Sequence, residues 1–93
     1  MPKIRAFELA PLPFEVQASL EALGYRIAQA RKARGLSQRE LASLIGVSPQ
    51  TALFVEQGRP NVQIGHYARA AWLLELGNVP LLSLLTPSYG TES

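Results

Sequence analysis

With 93 residues, 47% of them hydrophobic, the chain has apolar material for one small domain with a thin core and too little for two. The absence of cysteine excludes a disulfide, a thiolate nucleophile and a cysteine metal site; one histidine and no aspartate exclude a Ser-His-Asp triad and a multi-histidine metal site, so no enzyme is expected. The net charge of +2 is unevenly spread, because residues 26–69 carry Arg26, Arg31, Lys32, Arg34, Arg39, Arg59 and Arg69 against Glu40 and Glu56; this local excess suits phosphate contact, with a solvated surface as the plainer reading.

The opening stretch MPKIRAFELAPLPFE lacks the long apolar segment of a secretory signal, and no run approaches the roughly 18 apolar residues of a membrane span. A soluble, cytoplasmic protein without cofactor or metal is therefore expected. Pro2, Pro11 and Pro13 make residues 1–13 a poor helix; they read as an N-terminal arm, with a strand through KIRAFEL as the alternative. Val16, Leu20, Leu23 and Ile27 fall on one helical stripe, which predicts a helix from about residue 14 to 34, stopped by Gly35.

The segment SQRE then places Ser37 and Glu40 as a reciprocal capping box, so a second helix should run from 38 to 45 and bury Leu41, Ala42, Leu44 and Ile45, with Gly46 ending it. In GVSPQTALFVEQG, Ser48 can accept first-turn N–H bonds, Pro49 sits where its missing donor does no harm, and Gly58 can close the helix in a left-handed turn. Between those ends Ala52, Leu53, Phe54 and Val55 are all apolar, and successive helical residues point about 100° apart, so they cannot share one core face. RPNVQIG reads as loop. Ile64, Tyr67, Ala71 and Leu74 mark a fourth helix ending near Gly77, with His66 as an ordinary surface or half-buried member; VPLLSLLTP predicts a short fifth helix before a polar tail, residues 87–93. The paired carboxylates of a glycosidase could only be glutamates, and these lie on separate helices.

Two short capped helices joined by a tight glycine turn within a larger helical domain describe a helix-turn-helix. The ordered set Arg31, Leu36-Ser37-Gln38, Leu41-Ala42, Gly46-Val47-Ser48 and Glu56-Gln57-Gly58 resembles the Xre/Cro/lambda-repressor family of helix-turn-helix proteins. The resemblance implies an all-α, five-helix lambda-repressor-like DNA-binding domain over residues 14–86, its helix-turn-helix at about 37–57. It further implies that Arg31 pairs with Glu56 to orient the recognition helix, and that double-stranded DNA meets Gln38, Arg39, Ser48, Pro49, Gln50, Thr51, Phe54, Arg59 and Asn61. Gln38 would offer a helix N-terminus to a phosphate oxygen, and Gln50 can bond adenine bidentately.

In that family Ala52 and Val55 fall on inward positions, which leaves Leu53 and Phe54 outside, where relatives usually carry polar or charged residues. Three readings of the pair compete: contact with thymine methyl or sugar edges, cover by another part of the chain such as the arm, or binding of protein. The recognition helix has no Lys or Arg of its own, so non-specific affinity would come from Lys32, Arg34, Arg39 and Arg59 around it. The stretch EQGRPNVQIGHYARAAWLLEL is similar to the corresponding part of HipB-like antitoxins, which implies a homodimeric repressor and a HipA-like kinase toxin as partner. Trp72 and Leu76, one turn apart on the fourth helix and followed by Leu81 and Leu82, are the expected two-fold interface. A pure protein-interaction module is the rival from another class.

Overall fold

The computed structural model describes residues 11–76, which form four helices: α1 (Phe14–Ala33), α2 (Gln38–Ile45), α3 (Pro49–Gln57) and α4 (Ile64–Leu73), with no strand among the described residues. The expected fifth helix, most of the expected arm, the polar tail, Gly77, Leu81 and Leu82 all lie outside them. No helix among the described residues is long and apolar enough to cross a membrane.

Local chemistry sets where the helices begin. Ser37 accepts from the Glu40 backbone N–H while the Glu40 carboxylate accepts from the Ser37 N–H, so both arms of the capping box are made at α2. Ser48 accepts from the Thr51 N–H at 3.1 Å and Pro49 takes the first helical position of α3.

All four helices end in the same way. The residue after a left-handed position donates to the carbonyl five residues back, and the left-handed residue itself donates to the carbonyl three before it: Leu36 to Arg31 and Gly35 to Lys32, Val47 to Ala42 and Gly46 to Ser43, Arg59 to Phe54 and Gly58 to Val55, Leu76 to Ala71 and Glu75 to Trp72. Glycine fills the left-handed position three times, with φ of 69°, 75° and 71°; at α4 it is Glu75, with φ of 57°. The fourth helix therefore stops at Leu73, short of the expected Gly77, and Leu76 lies beyond the helix, packed against the core. This corrects the expectation that Leu76 extends the Trp72 face.

Leu23, Ile27, Leu41, Ile45, Val55, Tyr67, Ala70, Ala71 and Leu74 form the core, with Ala42 and Ala52 also buried. Three expected members do not join them. Leu44 is 53% exposed because Leu41, Ala42 and Ile45 already occupy the inward side of a helix barely two turns long. Ile64 is 55% exposed as the first residue of α4, and Val16, in the first turn of α1, is likewise exposed.

Helix α3 contributes only Ala52 and Val55 to the interior. Its seat on α1 depends instead on a near-contact of backbones. A Cβ at Gly24 would lie 2.6 Å from the carbonyl oxygens of Val55 and Glu56, and a Cβ at Gly58 would lie 2.5 Å from the Leu20 carbonyl oxygen and the Glu21 Cα. In an exposed helix interior Gly→Ala stabilises by about 0.5–1 kcal/mol, whereas forced overpacking costs about 1–3 kcal/mol. Gly24→Ala should therefore lower the urea midpoint, while Glu75→Gly, which relieves a left-handed side chain and removes only an exposed 3.8 Å pairing with Arg34, should raise stability by about 0.5–1 kcal/mol.

Candidate nucleic-acid interface

The last turn of α3 carries a carboxylate that three donors converge on. Arg31 of α1 gives Glu56 a two-pronged contact, Nε to Oε2 at 2.6 Å and Nη2 to Oε1 at 3.1 Å, and Gln38 of α2 donates Nε2 to Oε1 at 2.8 Å. The remaining guanidinium nitrogen, Nη1, donates to the Leu36 carbonyl at 2.8 Å, which ties the α1–α2 connection into the same cluster. Only 11% of the Arg31 side chain and 6% of the Glu56 side chain meet solvent. A pair this enclosed is held for its geometry more than for net stability, since its Coulomb attraction is offset by desolvation. The arrangement fixes α3 against two helices at once.

Gln38 has a contact that the sequence did not suggest. Its side chain is half-buried and bonded to Glu56, so its amide nitrogen serves the junction; the backbone N–H groups at the start of α2 are what that end offers to an anion. Arg39, Ser48, Pro49, Gln50, Arg59 and Asn61 are exposed, and Thr51 is half-buried, its hydroxyl accepting from Ser48 at 3.1 Å. Among the outward pair, Leu53 is exposed, but Phe54 is only half-buried. One side of its ring carries the Arg59 guanidinium, whose Cζ is 4.3 Å from the centroid. The ring also lines an open cleft of about 240 Å³ shared with Thr51, Asn61, Val62, Gln63 and His66, and the His66 Nδ1 is buried with no hydrogen-bond partner among the described residues.

The loop after α3 is anchored from behind. The Tyr67 hydroxyl donates to the Arg59 carbonyl at 2.6 Å, the Gln17 amide donates to the Gly58 carbonyl at 3.3 Å, and Arg69 donates from α4 to the Ile45 carbonyl at the end of α2 at 3.1 Å. Sequence reasoning missed these tethers, since a tyrosine or glutamine at helical spacing gives no sign of which distant carbonyl it meets. Burial pushes the Tyr67 phenol from 10.0 up to about 12.

A model of the helix-turn-helix family matches residues 27–69, from the middle of α1 into α4, and so takes in Arg31, Gln38 and Glu56 together with both capped helices. Curated proteins and solved structures give no significant match. What the fold and the matched segment define is thus a helix-turn-helix, with α2 and α3 as its two helices.

Two outcomes follow for the junction. Arg31→Ala and Glu56→Ala should each cost about 3–5 kcal/mol in urea unfolding, because each strands a buried charge, and the double variant should lose clearly less than the sum. Losses below about 1 kcal/mol that simply add would mean an ordinary exposed pair. Tyr67 gives a pH signature. Its folded pKa lies above the unfolded one, so the stability tied to its neutral form is whole below pH 10 and is lost as pH rises through about 12. Tyr67→Phe should be about 1–2 kcal/mol less stable at neutral pH, from the stranded Arg59 carbonyl, with a gap to the parent that narrows above pH 10.

Proposed function

We propose that the protein is a sequence-specific transcriptional regulator that binds duplex DNA as a homodimer, with α3 entering the major groove. The observation that carries this reading is the rigid seating of α3 by the Arg31–Glu56–Gln38 cluster, while its N-terminal residues Ser48 and Gln50 stay exposed. A helix used to read base edges must be held in one orientation and must present its first turn outward. The helix-turn-helix match over residues 27–69 supports the same reading. In it, Gln50 and Thr51 address bases, while Arg39, Arg59, Asn61 and the amides at the start of α2 address phosphates. Lys32 and Arg34 would add to the positive field, and the protein would act in the cytoplasm.

Dimerisation follows from DNA geometry, since two recognition helices about 34 Å apart are needed to enter successive major grooves on one side of the duplex. Trp72 supports α4 as part of the two-fold interface, because it is 75% exposed. The similarity of residues 56–76 to HipB-like antitoxins supports a HipA-like kinase toxin as a further partner. The exposed Leu53 beside Gln50 favours the second reading, a protein-interaction or toxin-neutralising module with weak DNA reading.

Binding to a mixed-sequence duplex at stepped salt concentrations separates the two. The regulator should lose affinity steeply with salt, log K falling by about 0.9 per neutralised phosphate, and Trp72→Glu should sediment as a folded monomer with weakened DNA binding. No binding at low salt would favour the interaction module, and an intact Trp72→Glu dimer would move the interface elsewhere.

A further inference from the structure

Four helices share one terminal motif, and in three of them the residue after the left-handed position is apolar and packs against the core: Leu36, Val47 and Leu76. At the end of α3 the same slot holds Arg59, and the contact this motif usually makes, between that residue and the one five before it, is here a guanidinium over the Phe54 ring. Every backbone handle on Arg59 is fixed. Its N–H donates to Phe54 at 3.1 Å, its carbonyl accepts from Tyr67 at 2.6 Å, and the preceding Gly58 is wedged against Leu20 and Glu21. The side chain is fixed as well, by the ring beneath it and by Nε donating to the Gln57 amide oxygen at 3.0 Å. Its Nη1 and Nη2 have no hydrogen-bond partner among the described residues, and the residue is exposed. An arginine normally loses substantial rotamer freedom when it grips an anion; here that freedom is already spent on folding.

We infer that Phe54 is a positioning residue for Arg59: its ring holds the guanidinium in readiness for a backbone phosphate of duplex DNA, and it does not itself read a base. The inference rests on the DNA-binding reading above. Base edges are met by the N-terminal residues of a recognition helix, and Arg59 lies just past the opposite end of α3, where the duplex backbone passes. The Phe54 ring on the outer side of α3 thus becomes a platform for the cation that the recognition helix itself lacks.

The test is a double-mutant cycle on the full chain, using anisotropy with a fluorescent mixed-sequence duplex at several salt concentrations. Arg59→Gln should flatten the dependence of log K on log salt by about 0.9 per protomer. Phe54→Leu should weaken binding about two- to fivefold per protomer, Phe54→Tyr should behave as the parent, and Phe54→Leu in the Arg59→Gln background should have no further effect. Circular dichroism melts confirm that each variant is folded, and Phe54→Tyr and Arg59→Gln keep the cycle readable should Phe54→Leu unfold. An equal loss from Phe54→Leu with and without Arg59, or no loss in either, overturns the positioning role while leaving DNA binding intact. A parent that shows no salt-dependent binding overturns both.

Discussion

The Glu56 carboxylate, in the last turn of α3, is the point on which the rest of the architecture depends. It accepts from Arg31 of α1 and Gln38 of α2, and Arg31 reaches on to the Leu36 carbonyl between those helices. Two small side chains, Ala52 and Val55, are all that α3 commits to the core, which is too little apolar area to define its rotation about its own axis. Directional polar contacts supply what hydrophobic burial, being non-directional, leaves open. The close passage of Gly24 against the Val55 and Glu56 carbonyls makes that geometry reachable, since a methyl group there would push α3 away from the guanidinium.

Around this junction, helix ends carry the burden that a larger protein would give to its core. Capping side chains start α2 and α3, and a repeated left-handed closure ends all four helices, satisfying orphan carbonyls and turning the chain back at once. Tyr67 and Arg69 then let α4 brace the ends of both shorter helices from behind, through the Arg59 and Ile45 carbonyls. On α2 and α3 themselves, Gln38 and Glu40 are given to structural contacts, while Arg39 and Gln50 stay exposed.

Helix boundaries were legible in the sequence wherever a boundary has dedicated chemistry: Ser37 with Glu40, Ser48 with Pro49, and the glycines at 35, 46 and 58. The end of α4 was not, because Glu75 adopts a glycine's conformation and no residue type announces that. Burial was legible at the centre of each apolar stripe and failed at its margins, as Leu44, Ile64 and Val16 show, since periodicity gives a face but not where the neighbouring helix ends. The resemblance drawn from the motif implied the Arg31–Glu56 pair, which the geometry contains, but gave no sign that the Gln38 amide nitrogen joins it at Glu56. For Phe54 the sequence left three readings open. Its partner, Arg59, lies five residues on, a distance at which helical spacing suggests no contact; only the left-handed turn at Gly58 brings the two together.

Hydrogen exchange at the arginine Nε positions, read by nitrogen-15 NMR on the intact protein, tests the central claim most directly. A guanidinium enclosed between three helices, with its Nε donating to Glu56, predicts one arginine Nε–H signal that exchanges with water far more slowly than those of exposed Arg26 and Arg39, and that speeds up in Glu56→Gln while the amide pattern of α4 persists. An Arg31 signal exchanging as fast as the exposed arginines would contradict the account, because α3 would then have no fixed polar anchor on α1.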